Sequence, residues 1–194
     1  MEYTSETYAK LNRDDQRHLQ ELEEFLRPLR GDKILEVGCG RGFIARELQK
    51  TVPHTYGVDV NPGAIKNGVA LNLQIMDAEH LEFEDDSFDK IYSFHMIEHV
   101  PSPGKVIREM ERVLRPGGEI LLVYPAEPVR GLFSIISSII IFKTPFKARK
   151  IHLHKLRPSD IQVLIRGTKL EHVESKFALL STPQFFTHLQ KRTS

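Results

Sequence analysis

Three glycines at alternate positions, Gly38, Gly40 and Gly42, cut off a short apolar run, Lys33-Ile34-Leu35-Glu36-Val37. Helical spacing resumes at once in Phe43-Ile44-Ala45-Arg46-Glu47-Leu48. A strand, a tight turn and a helix start in that order are the layout of a nucleotide-binding βα unit. Glycine makes the turn without steric cost and lets a ligand lie against the main chain. A second apolar run, Tyr56-Gly57-Val58, ends in Asp59. A carboxylate at that strand tip suits a ribose, because it accepts hydrogen bonds from both hydroxyls.

The rest of the chain reads as further strands and helices in alternation. Asp14 to Arg27 carries Leu19, Leu22, Phe25 and Leu26 on one helical face, with Pro28 and Gly31 as stops. Asn61-Pro62-Gly63-Ala64 opens a helix with proline at its first position, and Leu71 to Met76 is a third strand. Phe88 to Phe94 is a fourth strand. Ser102-Pro103 caps a helix whose apolar side is Val106, Ile107, Met110, Val113 and Leu114. Arg115-Pro116-Gly117-Gly118 ends that helix, and Glu119 to Tyr124 is a fifth strand. Pro158 to Ile165 is helical, and Lys169 to Phe177 with Phe185 to Leu189 are two final strands. Such alternation implies a mostly parallel sheet covered on both faces, with ligands bound beyond the carboxyl ends of its strands.

With these elements in place, Glu36 to Gly42 resembles the E-x-G-x-G-x-G motif of class I S-adenosylmethionine-dependent methyltransferases. The dehydrogenase fingerprint, G-x-G-x-x-G, spaces its third glycine one residue later. F-D-x-I at Phe88 and Leu114-Arg115-Pro116-Gly117-Gly118 before a strand extend the likeness from Ile34 to Tyr124. The resemblance implies an α/β fold: a Rossmann-like, seven-stranded, mostly parallel sheet with helices on both faces and a C-terminal antiparallel hairpin. It implies S-adenosyl-L-methionine as cofactor, held by Glu36, Gly38, Cys39, Gly40, Asp59, Val60, Asp77, Ala78 and Ser93. Within that set, Asp77 and Ala78 resemble the adenine clamp, the competing reading of Asp77 being a solvated turn acid. Related enzymes also close an N-terminal segment over the cofactor with a tyrosine, a role open to Tyr8.

The stretch after strand four, Phe94-His95-Met96-Ile97-Glu98-His99-Val100-Pro101, resembles M-E-x-x-E-H-V-P of ubiquinone-pathway O-methyltransferases. That family associates two glutamates and the histidine with a divalent metal. Here His95 replaces the first glutamate, so no metal is assigned. His95 and His99 are the candidate catalytic residues, with a locally satisfied histidine as the competing reading of His99. His152 and His154 approach from farther along the chain, but no spacing signature joins the four histidines into a metal site.

Composition narrows the partners. The chain has 194 residues, 40% hydrophobic and 27% charged, and reads as one domain. A formal charge of +1 gives no sign of nucleic-acid binding. Cys39, the single cysteine, excludes an internal disulfide and fits a reducing, cytoplasmic compartment. The polar start, Met1 to Glu6, lacks a signal-peptide core.

Residues 128–159 differ in kind. They contain no carboxylate, seven lysines and arginines, and the apolar run Leu132 to Phe142. A helix needs about 20 residues to span a bilayer, so this run does not cross one. It reads either as a lid over the pocket or, across 132–150, as a peripheral contact with anionic lipid. The expectation is therefore a single domain over 1–194, with an N-terminal helical cap at 1–30 and a lid-like insertion at 128–159. The favoured activity is O-methylation of a small, lipophilic acceptor. The alternatives are N-methylation of a lipid headgroup or other amine, and a catalytically silent cofactor-binding module. Oligomeric state has no signature.

Overall fold

The computed structural model describes residues 16–126, 153–179 and 183–193. Seven strands are present: β1 (Ile34–Val37), β2 (Thr55–Asp59), β3 (Leu73–Ile75), β4 (Phe88–Phe94), β5 (Leu114–Pro125), β6 (Leu170–Leu179) and β7 (Pro183–Lys191). They form one sheet in the order β3-β2-β1-β4-β5-β7-β6. β1 pairs in parallel with β2 on one side and β4 on the other, so strand order reverses between β1 and β4. The crevice beyond their carboxyl ends is the natural ligand position in such a sheet. β7 runs antiparallel to both β5 and β6, which makes the expected C-terminal hairpin.

Five helices accompany the strands: α1 (Gln16–Leu26), α2 (Phe43–Gln49), α3 (Pro62–Lys66), α4 (Pro103–Val113) and α5 (Pro158–Leu164). Alternation along each strand sends successive side chains to opposite faces. Leu35, Val37, Ile91, Ile120 and Leu122 pack with Val106, Ile107 and Met110 of α4 and Ile161 of α5. Ile34, Tyr92, Leu121, Val123 and Phe186 pack on the other face with Leu22 and Leu26 of α1 and Leu48 of α2. Each fully buried Leu, Ile or Val contributes roughly 1.5–3 kcal/mol over exposure, so both layers hold the sheet between them. α1 thus covers a face of the sheet. It stops at Leu26 because Arg27, at φ 43, precedes Pro28, and the proline ring disfavours helical backbone there.

The structure redraws several boundaries. The turn expected at Arg115 to Gly118 lies inside β5, which begins at Leu114. Pairing passes from Phe88↔Leu114 to Lys90↔Glu119, and a bulge absorbs the surplus residues. Gly118 fits the bulge because a Cβ there would stand 2.8 Å from the Asp89 carbonyl oxygen. β6 and β7 are longer than expected, since cross-strand pairing carries both past the last alternating apolar residue. Ser102 occupies the N-cap position of α4, yet its hydroxyl makes no capping bond. Its N–H instead donates to Glu79 Oε1 at 2.8 Å. At the other end of α4 the buried Lys191 ammonium donates to the Glu111 and Leu114 carbonyls. Asn61 does cap α3, accepting from the N–H groups of Gly63 and Ala64. The readings of Tyr8, His152 and the apolar run at 132–142 lie outside the described residues.

Candidate active site

The glycine turn is held by two carboxylates. Glu36, 4% exposed, accepts from the Ala45 N–H at 3.2 Å and from the Tyr92 hydroxyl at 3.0 Å. It therefore ties the end of β1 to the first turn of α2 and to β4. Burial pushes its carboxyl up to about 8, against those two donors, and the nearby Asp59 charge adds to the rise. Asp59 spreads its oxygens between Gly40 N–H, 2.7 Å from Oδ2, and Asn61 N–H, 2.8 Å from Oδ1. Burial raises the Asp59 carboxyl, and these same two N–H groups oppose the rise.

Gly38 and Gly40 need glycine for different reasons. At Gly38, φ is +81, and a Cβ would stand 2.5 Å from Met96 Cγ. This glycine lets the loop after β4 close on the turn. Gly40 lies at φ +54 with its N–H on Asp59, so it joins the turn to the tip of β2. Cys39 is 3% exposed, and burial raises its thiol well above the ordinary range. Val60 is 53% exposed next to Asp59 and presents apolar surface at the tip of β2.

Asp77 follows the end of β3, which is joined to β2 by the Met76 N–H on the Asp59 carbonyl at 3.1 Å. Its exposed carboxylate accepts from the Glu79 N–H at 2.9 Å, while Ala78 packs partly into the core. Asp77 therefore makes the local turn bond of a solvated acid. Oδ2 takes no part in that bond and retains its acceptor capacity.

The tip of β4 is built differently. Four buried side-chain atoms among the described residues lack a hydrogen-bond partner: Ser93 Oγ, His95 Nδ1 and both oxygens of Glu98. All four fall between Ser93 and Glu98. His95 Nδ1 stands 3.6 Å, and His99 Nε2 3.7 Å, from the same oxygen of Glu98. These are ion-pair separations, longer than hydrogen bonds. Burial pushes the Glu98 carboxyl up. The His95 side chain and the charges of His99 and His95 more than offset that, and the group ends below its ordinary value. His95 is also one of the few non-glycine residues at positive φ, +51, fixed by its N–H on the Val123 carbonyl at 2.8 Å.

Residues far away in sequence complete this tip. Gln184, fully buried on β7, places Oε1 2.8 Å from His95 Nε2, and its amide nitrogen lies 3.0 Å from Nε2 of His18 on α1. The backbone N–H groups of Leu153 and His154 donate to the Glu98 carbonyl. His154 Nε2 lies 3.0 Å from the Val100 carbonyl. His154 thus meets this loop as a backbone and carbonyl partner. Among the described residues no three His, Cys, Asp or Glu side chains are grouped to hold a metal ion.

Sequence reasoning missed His18, Tyr92 and Gln184. None lies in a motif: Tyr92 meets Glu36 across the β1–β4 pairing, and His18 and Gln184 reach the β4 tip only through the packing of α1 and β7. Glu98 had a signal in Glu98-His99-Val100-Pro101 but not a role.

Residues 35–122, the span that carries both carboxylates and the β4 tip, match a family model described as a methyltransferase domain. Over that span the chain is similar to the class I S-adenosylmethionine-dependent methyltransferases. It is similar to the ubiquinone biosynthesis O-methyltransferase of Aeromonas salmonicida, with 29% identity over 141 residues, covering 68% of this chain and 59% of the relative. The protein of that name from Hahella chejuensis is 28% identical over 160 residues, covering 76% and 66%. The chain thus spans about three fifths to two thirds of the length of these relatives. A solved structure of a class member from Methanosarcina mazei superposes with a TM-score of 0.71 at 22% identity, covering 90% of this chain and 98% of that one. The fold is shared with it.

The cofactor of this class, S-adenosyl-L-methionine, fits what is present. Gly40 offers bare backbone at positive φ, and each Asp59 oxygen keeps a further lone pair for a ribose hydroxyl. Exposed Val60 supplies an apolar surface beside them.

Proposed function

We propose that this methyltransferase acts on an oxygen of a small, lipophilic acceptor. When bound, S-adenosylmethionine supplies an activated methyl on a sulfonium, so the protein's task is to bind, align and desolvate. Alignment alone is worth up to about 10 kcal/mol. The observation that carries the reading is the His95–Glu98 pair at the β4 tip: a buried carboxylate 3.6 Å from a ring nitrogen that has no hydrogen-bond partner. Phenolic hydroxyls titrate near pH 10, so methylation at oxygen gains from a proton acceptor. His95 receives that proton, and Glu98 stabilises the resulting imidazolium. Asp59, Gly40 and Val60 hold the nucleoside end, with Asp77 and Ala78 at its adenine and Ser93 at the tip of β4. His99 supports Glu98 at the same oxygen. The names of the curated relatives point to an oxygen acceptor as well.

The test is conversion of S-adenosylmethionine with a panel of phenols, catechols and amines of graded lipophilicity. Turnover on hydroxyl acceptors is expected, with His95→Ala lowering kcat by ~100-fold and leaving cofactor affinity within a few-fold. Turnover on amines alone would overturn the reading.

The preference for a lipophilic acceptor rests on residues 132–150, which also underlie a cytoplasmic protein touching membranes peripherally. No helix among the described residues is long and apolar enough to cross a membrane. Four cations, Lys143, Lys147, Arg149 and Lys150, at about 1 kcal/mol each, give reversible attachment to anionic lipid. Co-sedimentation with anionic vesicles should be salt-sensitive and fall when the four become glutamine. Equal, negligible binding to anionic and neutral vesicles would leave the acceptor to arrive from solution.

A further inference from the structure

We propose that Glu36 carries a proton on Oε1 in the cofactor-free protein, and that the α-ammonium of S-adenosylmethionine displaces it on binding. The proposal rests on the fit of that cofactor to the glycine turn and is independent of the acceptor. It starts from how the two oxygens of Glu36 are used. Oε2 alone takes both hydrogen bonds, from the Tyr92 hydroxyl at 3.0 Å and from the Ala45 N–H at 3.2 Å. Tyr92 is fully buried, and Glu36 is the acceptor its hydroxyl has, so the hydroxyl donates. Oε1 makes no hydrogen bond among the described residues. Nor is it one of the four buried atoms left without a partner, so it belongs to the small part of Glu36 that is exposed. With Oε2 accepting twice, an acid proton on this carboxyl sits on Oε1.

The surroundings favour keeping that proton. Asp59, at the tip of β2, holds the same turn, and both its oxygens accept from N–H groups, which favours its ionised form. The Asp59 charge opposes a second negative charge on Glu36, and burial acts in the same direction. Burial also pushes the Cys39 thiol and the Tyr92 hydroxyl well up, so neither contributes a charge. From α2 the group receives the Ala45 N–H. The Glu36 carboxyl is raised to about 8, so near neutral pH the turn holds two carboxyl groups and one proton. A cation placed beside them reverses the balance. S-adenosylmethionine brings two, a sulfonium and an α-ammonium, and the ammonium is the one that can donate to an oxygen. In the exchange the Oε1–H bond breaks, the proton passes to a buffer base, and an ammonium N–H donates to the carboxylate so formed. No covalent bond to the ligand is made. An α-ammonium itself titrates at about 7.7–8.0, so the coupling is read cleanly below pH 7.

The experiment is calorimetry of S-adenosylmethionine binding to the full chain at pH 6.5, repeated in buffers of different ionisation enthalpy. The wild type should release about one proton. Glu36→Gln keeps an oxygen for Tyr92 and Ala45 but does not titrate, and should release none. S-adenosylhomocysteine, which keeps the ammonium and lacks the sulfonium, should release the same proton as the cofactor. Methylthioadenosine, which lacks the amino-acid end, should release none, and release by it would overturn the assignment to the ammonium. A second readout needs no variant to fold: the infrared band of a protonated carboxyl in the wild type should disappear when cofactor is added. Cofactor affinity of the wild type should also rise roughly tenfold from pH 6 to pH 7. Binding with no proton released, or with the carboxyl band retained, would overturn the proposal and leave the cofactor site standing. No binding of S-adenosylmethionine at any pH would reject the cofactor site and the proposal together.

Discussion

The two ends of the crevice treat buried charge in opposite ways. Beside the glycine turn, Asp59 and Glu36 accept four hydrogen bonds between them from backbone N–H groups and the Tyr92 hydroxyl. At the β4 tip, Glu98 has neither oxygen in a hydrogen bond, and Ser93 Oγ and His95 Nδ1 are equally unpartnered. The first region is preorganised: its polar groups are spent on holding a shape that a ligand meets ready-made. The second carries unmet hydrogen-bonding capacity, which costs stability wherever it stays unpaired. Their carboxyl groups follow suit. Burial drives Glu36 up to about 8, whereas beside two histidines Glu98 falls below its ordinary range.

The sharpest way to break this comparison is at Gly40. Gly40→Val places a β-branched side chain at φ +54, where even small side chains lose roughly 1–2 kcal/mol, and fills the space against which the cofactor lies. Cofactor affinity by calorimetry should fall by ~100-fold or more, about 3 kcal/mol, with the circular dichroism spectrum retained. Normal binding in a folded variant would reduce the turn to packing.

A large effect is also expected from Glu36, as a pH dependence. Its folded value, about 8, lies above the ordinary 4.5, so its contribution is fully present below 4.5 and is lost as pH rises through 8. Between those limits the folded state binds more protons than the unfolded chain. Stability should then fall with pH by up to about 1.4 kcal/mol per unit from this group alone. Glu36→Gln keeps an oxygen for Ala45 and Tyr92 but does not titrate. Urea unfolding at pH 5 and at pH 8 should give a flatter dependence for the variant than for the wild type. Parallel slopes would show that Glu36 is solvated.

This contrast also explains what could be read in the sequence. Gly38, Gly40 and Gly42 were legible because backbone geometry admits few residue types there, and Asp59 because a carboxylate closes an apolar strand run. The sheet was legible for a similar reason, since alternating apolar runs such as Ile34 to Val37 and Ile120 to Val123 leave one way to cover both faces. The β4 tip was half legible. Glu98 and His99 lie in a short motif, but Gln184 and His18 reach it only through the β5–β7 ladder and the packing of α1. An amide in a strand and a histidine on a helix carry no local signature. The bulge in β5 escaped notice because Arg115-Pro116-Gly117-Gly118 is turn chemistry, and only the sheet decides that it continues the ladder.

Asp59→Ala probes the preorganised end more mildly. The variant loses charge-assisted bonds to the ribose and frees the N–H groups of Gly40 and Asn61. Cofactor affinity should drop by roughly 1.5–3 kcal/mol, or about 10- to 150-fold, while turnover at saturating cofactor changes little. A loss confined to kcat would place Asp59 with the chemistry and dissolve the division between the two ends.

The smallest expected effect is the most discriminating, because its sign differs between the ends. Removing a satisfied polar group destabilises a protein, whereas removing a buried group that has no partner relieves a desolvation cost. Ser93 is 1% exposed with its hydroxyl unpartnered, and alanine nearly fills the same space. Ser93→Ala should therefore stabilise the cofactor-free protein by about 0.5–1 kcal/mol. Where Ser93 Oγ meets the bound cofactor, that gain should shrink or reverse once S-adenosylmethionine is added, since the hydroxyl then has a partner to lose. Thermal melting with and without cofactor reads both quantities on one sample. A variant that is destabilised in the free state would mean that Ser93 Oγ is already satisfied. The unmet capacity at the β4 tip would then belong to His95 and Glu98 alone.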